Sequence, residues 1–342
     1  MKAVIMAGGE GTRLKSITGD APKPLVPLCG APLMEHIIRL LRDNGFTDIC
    51  AAVKYRAGDI SGRFGDGSAL GVSLTYRTEE EARGTAGAVK NCEDFYGDED
   101  FLVISGDAAC DFELSRLMRE HKRRGAAVTL ALYRHSEPLR FGLAVTDGEG
   151  FVRSFIEKPD WPHVVTDLVN TGIYVVSPRV MALVPPGRPF DFAKDLFPLL
   201  LDRGERLLGV PMEGYWCDVG TPLSYYRCCA DALEGKLKIT LPDTFLPAPP
   251  PGEDREDGEG ESTELLCADR AWLMGAMSEA LMDMGADYSD GLSLNTPRFE
   301  LHVSPLCRSS ALRISVKADD AEFARSLCLS ARELAEALER ER

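Results

Sequence analysis

The 342-residue chain lacks any apolar run approaching the ~20 residues that cross a bilayer. Its ten cysteines include no C-x-x-C pair; the only neighbours are Cys228-Cys229, and the five histidines do not cluster with them. Without ligand spacing a zinc site is not expected, and the thiols read as buried or scattered free cysteines of a reducing compartment. Positive charge is also short. Against 54 Asp and Glu there are 39 Lys and Arg, a formal net charge of -15. Such a field repels phosphate at long range, which argues against nucleic-acid and anionic-membrane partners but permits a small phosphate ligand in a local basic pocket. The opening Met1-Lys2-Ala3-Val4-Ile5-Met6-Ala7 leads straight into a glycine loop with no secretory cleavage pattern, so a cytoplasmic location is the expectation. There is no internal repeat.

What is present is an alternation of short apolar runs and helical patterns through about residue 235. Ala3 to Ala7, Ile49 to Val53, Phe101 to Ser105 and Val128 to Tyr133 read as strands. Pro32 to Asn44 reads as a helix stopped by Gly45, and a second helix is expected from about Glu113 to Arg124. Leu143 to Thr146 and Val152 to Glu157 flank Asp147-Gly148-Glu149-Gly150, a hairpin signal. This rhythm predicts an α/β fold, a Rossmann-like domain with a mostly parallel, mixed sheet whose ligands lie at the carboxyl ends of its strands.

Composition changes near residue 242. Pro247-Ala248-Pro249-Pro250-Pro251 is followed by a Gly/Asp/Glu run to Glu261, which cannot bury a core. The division expected is 1–241, an acidic linker at 242–264, and a small α+β module at 265–342. In that module Trp272 to Met284 and Ala321 to Leu338 look helical, and Phe299 to Val303 and Leu312 to Val316 look extended. Under 80 residues, it is expected to lean on a neighbour.

The first strand ends in Gly8-Gly9-Glu10-Gly11-Thr12-Arg13-Leu14. Glycines there let backbone N–H groups approach an anion. The spacing is neither a Walker A loop nor the dinucleotide fingerprint, whose third glycine position holds Leu14. Arg13, together with Lys23 held between Pro22 and Pro24, makes a triphosphate site plausible, with an exposed loop lysine as the plain alternative for Lys23. Asp107 follows an apolar strand, Asp218 follows Tyr215-Trp216-Cys217, and two such carboxylates suit Mg2+. Asp111 reads as the cap of the helix after it, and Glu79-Glu80-Glu81 as a solvated charge run rather than a reader of a base.

Together the glycine loop and Pro22-Lys23-Pro24-Leu25-Val26-Pro27 resemble the signature of sugar-1-phosphate nucleotidylyltransferases. Gly84-Thr85-Ala86-Gly87-Ala88, Ser105-Gly106-Asp107, Phe155-Ile156-Glu157-Lys158-Pro159, Asn170-Thr171-Gly172-Ile173-Tyr174 and Trp216-Cys217-Asp218-Val219-Gly220-Thr221 follow in order over residues 1 to 235. Asp191 to Pro198 and Gly214 to Asp218 are most similar to mannose-1-phosphate guanylyltransferases of the kind fused to a phosphomannomutase-like region.

The resemblance implies nucleotide contacts at Gly8, Gly9, Gly11, Thr12, Arg13, Lys23, Gly84 and Asp107. It implies sugar-phosphate contacts at Gly142, Glu157, Lys158, Asn170 and Thr171, and Mg2+ on Asp107 and Asp218. The implied reaction is NTP plus sugar 1-phosphate giving NDP-sugar and pyrophosphate, with Arg13, Lys23 and Lys158 supplying catalytic charge. The best guess for the pair is GTP and mannose 1-phosphate. Glucose-1-phosphate thymidylyl or uridylyl transfer, a choline-phosphate acceptor and a non-catalytic nucleotide-sugar sensor are the alternatives. The module at 265–342 resembles only the last mutase domain. At 299–308 Ser304, Leu306 and Cys307 replace the arginine, small polar and glycine positions of a phosphate loop, so no mutase activity is expected. A homo-oligomer is compatible with the sequence.

Overall fold

The computed structural model describes residues 1–9, 11, 14, 21–135, 138–157, 165–240, 259–281, 284, 292–296, 298–305, 311–318 and 320–341. Nine strands form one mixed sheet: Lys2–Ala7 (β1), Asp48–Val53 (β2), Ser73–Thr78 (β3), Phe101–Ser105 (β4), Val128–Arg134 (β5), Gly142–Thr146 (β6), Val152–Glu157 (β7), Leu168–Val176 (β8) and Leu207–Pro211 (β9). The order is β7-β6-β8-β4-β1-β2-β3, with β5 paired to β8 and β9 to β5. β1 runs parallel to β4 and β2, and β2 parallel to β3. β8 runs antiparallel to β4, β5 and β6. The parallel strands β1, β2 and β4 are buried on both faces, which is why they read as unbroken apolar runs, while β3 at the sheet edge is only half-buried.

Helix Leu33–Asp43 (α1) ends at Gly45, whose φ of 81° is left-handed, and helix Leu114–Arg124 (α3) ends the same way at Gly125. Between them, Gly84–Lys90 forms α2. The hairpin β6–β7 closes on Asp147, whose Oδ1 accepts from the N–H groups of Glu149 and Phe151, both at 2.9 Å. Asp111 does not cap α3, contrary to the sequence reading. The Ser115 N–H takes Asn44 Oδ1 at 3.1 Å, while Asp111 Oδ1 accepts from Tyr215 N at 2.7 Å.

Packing groups the described chain into two units, residues 1–10 with 34–216, and residues 11–33 with 217–342. In the second unit, helix Pro222–Leu233 (α4) carries helix Arg270–Ala280 (α5), and helix Ala321–Glu341 (α6) covers a four-stranded antiparallel sheet. That sheet is formed by Glu259–Leu266 (β10), Leu292–Asn295 (β11), Phe299–Pro305 (β12) and Ala311–Ala318 (β13), in the order β10-β13-β12-β11. Ala324, Cys328, Ala331 and Ala335 repeat at three- and four-residue spacing and are all buried. Strand β10 corrects the linker reading at its end. Glu261, Thr263 and Leu265 are shielded while Gly260, Ser262, Glu264 and Leu266 are exposed, a period of two imposed by pairing with β13. The rest of the expected linker, 242–258, lies outside the described residues.

The α4–α5 contact includes a buried hydrogen bond, Ser278 Oγ to the Tyr226 hydroxyl at 3.0 Å. Cutting the chain after Leu241 removes that donor and uncovers α4, so the melting temperature is expected to fall by roughly 5 °C or more. Thermal denaturation of the full and shortened chains measures this, and an unchanged midpoint would show that the module adds nothing to its unit. Among the described residues no helix is long and apolar enough to cross a membrane.

Candidate active site

The parallel strands β1, β2, β3 and β4 deliver Gly8, Lys54, Glu79 and Asp107 just past their carboxyl ends. The approach is close. A Cβ on Gly8 would lie 3.2 Å from Glu79 Oε2 and 3.5 Å from the Lys54 Cβ. Glycine at position 8 therefore lets the carboxyl of Glu79 lie against the backbone. A Cβ on Gly106 would meet Met6 O at 2.8 Å, and the Gly106 N–H donates to that same oxygen at 2.8 Å. This welds the turn before Asp107 to β1, and the Ser105 hydroxyl donates to Asp107 Oδ1.

Glu79 overturns the reading of its segment as a solvated run. Glu80 and Glu81 are exposed, but Glu79 is 6% exposed, and its Oε1 has no hydrogen-bond partner among the described residues. Burial pushes its carboxyl above the ordinary value of 4.5, and the charges of Arg83 and Lys54 oppose the shift. The signal was available in outline, since Glu79 is the first residue beyond a strand on the ligand edge of the sheet. Lys54 and Arg83 were missed with it.

Gly84 opens α2 at φ 69°, and a Cβ there would strike Phe190 O at 2.7 Å. The Ala86 and Gly87 N–H groups donate to Phe190 O at 2.9 and 3.0 Å, and Asp191 Oδ1 takes the Thr85 N–H and hydroxyl at 3.0 and 3.1 Å. Segment 190–192 thus clamps the helix N-terminus. Gly84→Ala forces both a left-handed alanine and a backbone clash, so a loss of about 2 kcal/mol or more is expected in chemical denaturation.

Of the sugar-side candidates, Gly142, Glu157 and Asn170 fall on the adjacent strands β6, β7 and β8. Gly142 pairs with Glu157, and Leu143 with Val169, a register that continues to Gly142 opposite Asn170. Asn170 Nδ2 donates to the Tyr174 hydroxyl at 2.9 Å, and its Oδ1 accepts from Gly172 N at 3.2 Å. Thr171 departs from the expectation. It is 2% exposed and its hydroxyl donates to Ala131 O at 2.7 Å, inside the irregularity between β8 and β5. Its side chain is committed to the sheet. Beside Gly142, Phe141 packs edge-on against Trp216 with centroids 5.2 Å apart, and the buried Trp216 Nε1 has no partner among the described residues. Thr12, Arg13 and Lys158 lie outside the described residues, as does the side chain of Glu157.

In the second unit Lys23 is no surface lysine. It opens a single 3-10 turn, Lys23–Leu25, after Pro22 and is 5% exposed. Its Nζ lies 3.7 Å from Asp218 Oδ1. Gly11, at φ 64°, allows the close pass of the Lys23 stem, because a Cβ there would lie 2.9 Å from the Lys23 Cβ. Asp218 is fixed by the turn on its C-terminal side. Thr221 and Ser224 form a capping box at the start of α4, and the Gly220 N–H turns back to Asp218 O at 2.9 Å. The structure thus brings together a buried ammonium and a carboxylate, each set by a short turn.

Residues 2–235 match the Nucleotidyl transferase family. The chain belongs to that family. It is 35% identical over 251 residues to a UTP–glucose-1-phosphate uridylyltransferase of Synechocystis sp., covering 70% of this chain and 65% of that protein. To a mannose-1-phosphate guanylyltransferase of Mycobacterium tuberculosis it is 36% identical over 234 residues, or 68% of this chain and 65% of the relative. The chain thus spans just under two thirds of the length of these two relatives. Among solved structures, a Bacillus anthracis protein assigned as a glucose-1-phosphate thymidylyltransferase superposes with a TM-score of 0.64 at 30% identity, covering 72% of this chain and 98% of that one. The family match and the mixed, largely parallel sheet agree with the architecture expected of residues 1–235.

Proposed function

We propose that the chain transfers a nucleotidyl group from GTP to a sugar 1-phosphate, with mannose 1-phosphate as the preferred acceptor, releasing pyrophosphate. The observation that carries the choice of base is Glu79. An ionised carboxylate only accepts hydrogen bonds, and guanine presents two adjacent donors, N1–H and N2–H. Uracil and thymine place one donor between two carbonyls, so a carboxylate facing them leaves acceptors opposed. The guanylyltransferase relative supports the same choice.

The sugar-phosphate oxygen attacks the α-phosphorus in line. A new O–P bond forms, the bond to the bridging oxygen breaks, and pyrophosphate leaves with the electron pair. That nucleophile is already anionic, so no general base is needed, and catalysis rests on positioning and charge. In this reading Gly8, Gly9, Gly11, Thr12 and Gly84 seat the nucleotide, and Arg13 and Lys23 neutralise the departing pyrophosphate. Lys158 aligns the attacking phosphate, while Gly142, Glu157 and Asn170 hold the sugar. Asp107 and Asp218 would hold Mg2+. Two carboxylates suit an ion that also takes phosphate oxygens and waters. When bound, Mg2+ supplies charge neutralisation at those oxygens. We assign residues 265–342 to packing, self-association or regulation, without mutase activity, and the setting to the cytoplasm.

The test incubates the chain with GTP, mannose 1-phosphate and Mg2+ and follows pyrophosphate and the nucleotide sugar by mass. Stoichiometric formation of both supports the reading. Saturable nucleotide-sugar binding without turnover would instead support the sensor.

A further inference from the structure

A surface cavity of about 560 Å³ runs along α2, from Arg83 just before its first residue to Lys90 and Asn91 at its end, and is closed by segment 185–188. Its size lies in the range that encloses a small organic ligand. Its wall carries Arg83, Lys90, Asn91 and Arg188, together with Glu93 and Asp94. In a chain of net charge -15, this wall carries three cations against two carboxylates. The two carboxylates are already engaged. Glu93 accepts from Lys90 Nζ at 2.6 Å, and Asp94 is gripped by the Arg77 guanidinium. Arg83 donates to the neutral Asn91 Oδ1 at 3.1 Å. Among the described residues, neither Arg83 nor Arg188 meets a carboxylate within ion-pair distance. The cavity therefore offers two guanidinium groups, one amide and one paired ammonium to a ligand, a donor set suited to phosphate oxygens.

We propose that this cavity is a second anion site, distinct from the nucleotide and sugar candidates, that binds a phosphate group, free or as a small ester, and thereby weakens use of GTP. The coupling runs through Arg83, and this half rests on the proposed roles of Gly84 and Glu79 at the nucleotide. Arg83 lines the cavity, stands immediately before Gly84, and its carbonyl accepts from Phe190 N at 2.8 Å within the clamp. An anion that draws the guanidinium into the cavity pulls on that clamp and shifts Gly84 at the helix N-terminus. It also takes up a charge that favours the ionised form of Glu79.

The test uses the full chain, with inorganic phosphate and glucose 6-phosphate as separate probes at constant ionic strength. Titration calorimetry without substrates should show binding of one or both probes that Arg188→Glu weakens by about tenfold or more. In turnover assays the same probes should raise the KM for GTP by about fivefold, and Arg188→Glu and Lys90→Ala should abolish that rise while leaving kinetics without probe unchanged. Binding of the ester alone would show that the ligand uses the cavity volume; binding of both, that the phosphate suffices. Equal affinity in the wild type and Arg188→Glu overturns the site. A KM rise that persists in both variants overturns the coupling. The calorimetric arm needs no turnover, so its failure is separable from failure of the proposed transferase activity.

Discussion

Asp218→Ala is expected to lower turnover by roughly 10²- to 10³-fold and to destabilise the fold at the same time. The first loss follows from removing a carboxylate proposed to hold Mg2+. The second follows from Lys23. Its ammonium is almost wholly buried, with Asp218 Oδ1 at 3.7 Å. Deleting the carboxylate leaves that charge with less compensation. Because the Asp218 side chain is 34% exposed, water softens the penalty, and a loss of about 1–3 kcal/mol is expected. Lys23→Met separates the two effects. It removes the buried charge and keeps the stem that packs against Gly11, so turnover should collapse while stability changes little. Steady-state rates and urea denaturation of both variants measure this. Near wild-type rates for either variant at saturating Mg2+ would remove these residues from the mechanism.

Glu79→Gln is expected to cut kcat/KM for GTP by about 10- to 100-fold and to make the protein more stable at neutral pH. Glutamine keeps the shape but turns one acceptor into a donor facing guanine donors. The stability sign follows from burial. The folded chain holds the Glu79 proton more tightly than the unfolded chain, whose carboxyl titrates near the ordinary 4.5. Between that value and the raised one, the fold loses stability as pH rises, and the deficit stays constant above the window. The glutamine variant has no such deficit, so its denaturation midpoint should exceed that of the wild type at pH 7 and converge on it in acid. For the wild type, the KM for GTP should rise on acidification earlier than an ordinary carboxylate would cause. Loss of stability in the variant, with GTP use intact, would show that Glu79 serves the fold and not the base.

The strands around the site were legible because burial on both faces leaves apolar runs, and β1 and β4 run directly into Gly8 and Gly106-Asp107, where the chain turns. Hence β1, β2, β4 and β5, the Asp147 hairpin and the helix that stops at Gly45 stand close to where the pattern sets them. Burial of a single charged residue leaves no such trace. Glu79, Glu80 and Glu81 are chemically alike, and only the position of β3 beside β2 takes the first of them out of water. The same holds for Thr171, drawn into the sheet by an irregular register, and for Asp111, whose partner Tyr215 is 104 residues away. Strand β10 was hidden because its residues are those of a solvated linker, and its extended form depends on the ladder to β13.

The central claim, that this chain hands the nucleotidyl group of GTP to a sugar 1-phosphate, is tested most directly by pyrophosphate release from GTP, UTP, dTTP and ATP, each with mannose 1-phosphate and with glucose 1-phosphate. The prediction is that GTP with mannose 1-phosphate gives the highest kcat/KM. A clear preference for UTP or dTTP, or release from no pair at all, would contradict it.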